Sequence, residues 1–114
     1  MHEASIAESL IELAEKHLRE GNHSAVSSVT VRIGRLSGVM PDALLFAFEA
    51  LKGGTPLEGA TLLIDVIPQG GMCKGCEKEF SFDGPYISEC PLCGGAEFSV
   101  TRGRELEMTE MEVA

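Results

Sequence analysis

Four cysteines constrain this chain more than any other feature. They form two matched pairs, Cys73-Lys74-Gly75-Cys76 and Cys90-Pro91-Leu92-Cys93, with thirteen residues between the pairs and no other cysteine in the sequence. Two residues between cysteines let one tight turn aim both sulfurs at one point, and the amides just beyond can hydrogen-bond to the thiolates. Two such turns supply four soft ligands at the corners of a tetrahedron, the geometry of a closed structural zinc site. Gly94 follows the second pair, where a turn of this kind often needs positive φ. Rubredoxin-like iron uses the same ligands. Two disulfides are a further option, disfavoured in a reducing compartment. A thioredoxin-like redox centre fits less well, because it carries one pair beside a βαβ pattern. A closed four-thiolate set leaves no open coordination position, so the cysteines predict a folded insert and not a reacting centre.

The rest of the chain must build its own core from aliphatic residues. Of 114 residues 44% are hydrophobic and only 5% aromatic, with no Trp. A helix is expected over 4–20, where Ile6, Leu10, Leu13, Ala14, His17 and Leu18 recur at helical spacing and Gly21-Asn22 stops the run. Alternation over 29–33 predicts a strand, and 34–38 a turn. Met40-Pro41 opens a second helix with Leu44, Leu45, Phe48 and Leu51 on its apolar face, ended by Gly53-Gly54. The β-branched run 61–67 reads as a central strand ended by Pro68, and Gln69-Gly70-Gly71 as a hinge. Residues 79–82 and 97–101 read as hairpin strands around the cysteines. Residues 106–113 alternate Leu106, Met108, Met111 and Val113 with glutamates, with one slip at Thr109-Glu110.

The expected fold is therefore α+β: two helices on a small three-stranded mixed sheet, with an inserted zinc-ribbon mini-domain. The body would comprise 1–68 completed by the returning strand at 102–114, and the ribbon 69–101. The strand at 61–67 leads out to the ribbon and the last strand leads back, so those two are expected to pair antiparallel. The sheet's second face stays partly exposed, which leaves a monomer or a homodimer open.

The net charge of −9 argues against nucleic acid and against an anionic membrane surface. No signal peptide opens the sequence and no apolar run approaches the ~20 residues that span a bilayer, so a cytoplasmic protein is expected. An enzyme is not expected: there is no Ser-His-Asp or Cys-His arrangement and no phosphate-cradling Gly-rich loop with Lys.

Met1-His2-Glu3 carries the other chemistry. The first residues of most chains fray, and His2 on a loose tail would mean nothing. Yet the α-amine of Met1, the deprotonated backbone nitrogen of His2 and its imidazole can close two chelate rings on one metal, a nitrogen set that favours Ni²⁺ or Cu²⁺. Glu3 sets a carboxylate beside them, and the helix that follows can hold them. Met1 should persist, because removal of an initiator Met generally needs a small second residue. His17 and His23 have no partner at ligand spacing and read as surface residues.

Three features occur together: the opening Met1-His2-Glu3 with Ser5-Ile6-Ala7 behind it; the segment Arg32-Ile33-Gly34-Arg35-Leu36-Ser37-Gly38-Val39 leading to Ala47-Phe48-Glu49; and the late cysteine pairs. On these the chain resembles the HypA/HybF family of hydrogenase nickel-incorporation proteins, over essentially its whole length. The resemblance implies a nickel metallochaperone with Ni(II) held by Met1, His2 and Glu3 and structural Zn(II) by Cys73, Cys76, Cys90 and Cys93. It implies work with a nickel-handling GTPase, delivery to the large subunit of [NiFe]-hydrogenase, and in some members urease accessory proteins. One departure stands out. After Ser-Gly-Val the family commonly has an acid that can lie near the nickel, and here that position is Met40, with Asp42 the nearest acid. Asp42 or water would then take that place. The competing reading is a zinc-ribbon adaptor with no transferable metal.

Overall fold

The computed structural model describes residues 2–82 and 87–114. Its elements run α1 (Glu3–Glu20), β1 (Val26–Gly34), α2 (Pro41–Leu51), β2 (Thr61–Ile67), β3 (Gln69–Cys73), β4 (Glu79–Phe82), β5 (Phe98–Arg102) and β6 (Leu106–Val113). The chain divides into two compact units. One comprises Met1–Arg32, Val39–Asp65 and Glu107–Ala114, the other Ile33–Gly38 and Val66–Leu106.

In the first unit α1 buries Ala7, Leu10, Ile11, Ala14 and Leu18, the stripe that three- and four-residue spacing dictates. Its end is set by Asn22, which takes the left-handed conformation at φ 59° while Gly21 does not. The N–H of His23 donates to the Leu18 carbonyl and that of Asn22 to Arg19, so the last carbonyls are satisfied. In α2 only Leu44 and Phe48 are buried. Leu45 and Leu51, expected on the same face, are exposed, because a helix this short contributes one narrow seam to the core.

The strand order β2-β1-β6 corrects one expectation. The run 61–67 is an edge strand and does not pair with the last strand; β1 lies between them. The crossover through α2 leaves β1's other edge free, and the returning chain takes it. Direction follows from the hydrogen bonds. Val26 N–H donates to Pro56 O and Arg35 N–H to Ile67 O, so β1 and β2 climb together. Ala114 N–H donates to Ala25 O and Gly34 N–H to Glu105 O, so β6 runs against β1. The sheet is mixed, and with the two helices it makes the α+β body that the pattern predicts.

The second unit holds an antiparallel sheet in the order β4-β3-β5. Here Gln69-Gly70-Gly71 is not a hinge but the start of the central strand, all three residues buried. The strands at 79–82 and 98–102 therefore flank β3 and do not pair with each other. A Gly-Gly step reads from sequence as freedom, but here it permits close approach. A Cβ on Gly71 would strike the Ser99 carbonyl, and one on Gly70 the Phe80 carbonyl and the Arg102 guanidinium.

The segment 33–38 is tied to the same unit: Leu36 N–H donates to Gly103 O at 2.6 Å and Gly34 N–H to Glu105 O at 2.8 Å. A Cβ on Gly34 would overlap the Gly103 carbonyl carbon and oxygen, which are backbone and cannot rotate away. Gly34→Ala is expected to destabilise the protein by about 3 kcal/mol, the upper end of what overpacking against a fixed neighbour costs. A denaturant midpoint unchanged by the substitution would show that the segment can part without cost.

Candidate metal centres

The cysteine site is built by two knuckles. In the first, Cys73 ends β3 and the N–H of Cys76 points back to the Cys73 sulfur at 3.5 Å. Glu77, the residue after that pair, sits at φ 57°, a left-handed position that glycine usually fills. In the second, the N–H groups of Leu92 and Gly95 point at the sulfurs of Cys90 and Cys93, both at 3.4 Å. Gly94 has φ +76°, as the sequence predicts. The knuckle is closed by Cys90 N–H to Gly95 O and Gly94 N–H to Cys90 O, each 2.8 Å.

None of the four cysteines is in a disulfide, and their sulfurs lie within 4.8 Å of one another. The Cys73–Cys93 and Cys76–Cys90 separations are 3.6 and 3.9 Å. Sulfurs about 2.3 Å from one tetrahedral ion stand roughly 3.8 Å apart. The donors fit a four-thiolate ion, and the separations are far beyond the ~2.05 Å of a disulfide.

The thiols do not behave alike. The Cys76 amide brings the Cys73 thiol down to about 7. Burial first, and then the Cys73 sulfur, push Cys76 up. At Cys93 the Gly95 amide pulls down, but the neighbouring sulfurs and burial together outweigh it and push the thiol up to about 12. The site can hold negative charge at Cys73, and further thiolates need a cation at its centre. Loading a divalent ion at neutral pH should thus release protons, those of Cys76 and Cys93 among them, and affinity should fall as acid protonates Cys73 below about 7. A pH indicator in weakly buffered solution reads the release; loading with no acidification would contradict it.

At the other end of the chain, His2 is the residue that precedes α1, and its carbonyl accepts the Ile6 N–H at 2.9 Å. Its side chain does not cap the helix. The first N–H groups of a helix have no intrahelical acceptor, so the His2 backbone nitrogen is not needed for α1. Glu3 is buried at 4% exposure, which is unusual for a carboxylate. The Met40 N–H donates to its Oε2 at 3.1 Å, fixing it against the loop before α2. That amide, followed by Glu3's own N–H, holds the carboxyl below its ordinary value against the opposing effect of burial. Sign follows: the charged form stabilises the fold above the ordinary carboxylate range, and that contribution is lost only as pH falls through the lowered value.

Glu3 Oε1 is buried with no hydrogen-bond partner among the described residues. Beside it, His2 Nε2 stands 3.8 Å from Glu3 Oε2, with the imidazole largely exposed. Two ligand bonds of about 2.1 Å can span that gap. Met1, the third expected ligand, lies outside the described residues. Met40 meets Glu3 through its backbone while its side chain is exposed. Asp42 is exposed and is not gathered with His2 and Glu3; among the described residues the cysteines alone form a group of three or more potential ligands. Sequence reasoning missed Met40's part because a backbone amide leaves no trace in residue identity.

Comparison with known proteins shows which family the chain resembles. The profile of a family described as "Hydrogenase/urease nickel incorporation, metallochaperone, hypA" matches residues 1–113. The chain is 46% identical over 113 residues to "Hydrogenase maturation factor HypA" of Geobacter metallireducens, covering 99% of each chain. It is 40% identical over 112 residues to the factor of the same name from Streptomyces avermitilis, covering 97% of this chain and 86% of that one. Among solved structures it is similar to the Ni metallochaperone HypA from Helicobacter pylori in solution, with TM-score 0.68 and 27% identity over 99% of this chain and 97% of that one.

Proposed function

Because the chain belongs to the HypA family of hydrogenase/urease nickel-incorporation metallochaperones, we propose that it binds Ni(II) at its amino terminus and releases it to a maturing nickel enzyme. The ligands in this reading are the amine and backbone nitrogens of Met1 and His2, the His2 imidazole and the Glu3 carboxylate. The observation that carries it is Glu3: a buried, charged carboxylate with an oxygen left without a partner, next to an exposed imidazole. A free tail would leave Glu3 exposed, and a buried carboxylate oxygen without a partner calls for one.

The chemistry suits cargo. His2 is exposed and its nitrogen set is open to an acceptor, so exchange does not require unfolding. Glu3 supplies charge without having to be ordered on binding, because Met40 already holds it. Zn(II) is the resident ion at Cys73, Cys76, Cys90 and Cys93, and it holds the second unit folded. The protein catalyses no reaction itself; a GTPase partner drives transfer, and the [NiFe]-hydrogenase large subunit or urease accessory proteins receive the metal. No helix among the described residues is long and apolar enough to cross a membrane, and the reading places the protein in the cytoplasm, where the thiols stay reduced.

Metal counting by mass spectrometry after nickel loading tests the pairing of functions. One zinc and one nickel per chain are expected. Zinc with no nickel would leave the adaptor reading instead.

A further inference from the structure

A closed coordination shell blocks chemistry at the metal, but not at sulfur. Oxidation of cysteine follows thiolate character and exposure, and a metal-bound thiolate stays electron-rich. The four cysteines differ in exposure: Cys73 and Cys90 are buried, Cys76 is half-buried and Cys93 is exposed. All four belong to the second unit, and the first carries no thiol.

The surroundings single out one edge of the cluster. Cys73 and Cys93 come from different knuckles, and their sulfurs are 3.6 Å apart. A glycine from each knuckle flanks that edge. A Cβ on Gly75 would stand 3.6 Å from the Cys73 sulfur and 3.8 Å from that of Cys93. One on Gly95 would stand 3.3 Å from the Cys93 sulfur and 3.9 Å from that of Cys73. The Cys90 sulfur lies beyond 4 Å of either position. The two glycines leave the Cys73–Cys93 edge without the cover that a side chain would give it.

Resting on the reading that zinc is resident at the four cysteines, we infer that this edge is an oxidation site for hydroperoxides, where a Cys73–Cys93 disulfide closes and discharges the ion. With hydrogen peroxide, the Cys93 thiolate attacks an oxygen: an S–O bond forms, the O–O bond breaks and hydroxide leaves. The Cys73 thiolate then attacks the Cys93 sulfur: the S–S bond forms, the S–O bond breaks and a second hydroxide leaves. Each hydroxide takes a proton from solvent and becomes water. The two sulfurs together lose the two electrons that the peroxide gains, so no other reactant is needed. Cys76 and Cys90 remain as ligands, short of the four that a structural zinc requires. A dithiol reductant with zinc reverses the change.

The test uses the full chain, loaded with zinc and its zinc counted, then given less than one equivalent of hydrogen peroxide. A zinc-binding dye follows release, thiols are titrated, and disulfide-linked peptides are mapped after alkylation. Two thiols lost per zinc released are expected, with Cys73–Cys93 as the first linkage. Gly75→Ala sets a methyl at ordinary contact distance from both sulfurs. It should keep its zinc and release it several-fold more slowly; the linkage map on the wild-type chain decides without any variant. A first disulfide between any other pair, zinc retained after two thiols are lost, or Gly75→Ala releasing zinc at the wild-type rate would each overturn the inference and leave the resident-zinc reading standing. A chain that holds no zinc before peroxide is added would overturn that reading, and this inference with it.

Discussion

Cys90→Ser is expected to empty the cysteine site and unfold the second unit, while the first unit keeps its helices. The reason is how little else holds that unit. Its apolar cluster consists of Cys73, Phe80 and Cys90, flanked by Cys76, Ile87 and Phe98, with Phe80 and Phe98 packed edge to face at 5.9 Å. Half of those residues are cysteines of the proposed metal site. So small a core cannot meet the conformational entropy of ordering the segment. Structural zinc contributes on the order of 10–16 kcal/mol in comparable small sites, and a serine hydroxyl is a hard, poorly acidic replacement for one of four thiolates. Metal per chain should fall from near one to near none. Backbone amides of β3, β4 and β5 should lose their protection from exchange, while far-UV dichroism retains the signal of α1 and α2. Those helices draw on Ala7, Leu10, Ile11, Ala14, Leu18, Leu44 and Phe48, and no ligand is among them. Retained zinc with protected ribbon amides would mean that three thiolates suffice.

His2→Ala is expected to reduce nickel affinity by about 100-fold or more, the scale on which losing even a residue that supports a metal is felt. Zinc content and thermal stability should be unchanged, because the His2 side chain neither caps α1 nor is buried. Glu3→Gln separates charge from shape. Its amide oxygen can still accept the Met40 N–H, so the entry to α1 should survive, while the loss of charge should weaken nickel binding by about ten-fold. Asp42→Asn should change nothing, since Asp42 is not gathered with His2 and Glu3. Calorimetric titration with nickel on zinc-replete protein reads all three. A fold that collapses in His2→Ala would make that residue structural instead.

Much of this was legible in the residues because local rules and tertiary outcome agree. The α1 stripe is a period-3.6 pattern that buries where the pattern says. The cysteine pairs predict their own knuckles, down to positive φ at Gly94. What failed was pairing. Residues 61–67 are apolar enough for a central strand, yet nothing in a strand's composition says which neighbour it will have, and the α2 crossover put it at an edge. Gln69-Gly70-Gly71 failed for a different reason: glycine serves both a loose joint and a backbone packed against backbone, and only the Ser99 and Phe80 carbonyls decide between them. At the amino terminus the residue types were readable but their setting was not. The burial of Glu3 depends on Met40, a contact across thirty-seven positions of sequence that runs through a backbone amide.

The central claim is that nickel is bound by the chain's own amino end. The most direct measurement compares nickel bound per zinc-loaded chain in three forms: native, extended by a short neutral tag before Met1, and extended by the same tag after Ala114. An extension before Met1 converts its amine to an amide while leaving His2, Glu3 and all four cysteines in place. The account predicts one nickel in the native form, one in the carboxy-terminally extended form, and a sharp loss in the amino-terminally extended form with zinc unchanged. Nickel bound equally well by all three forms would contradict it.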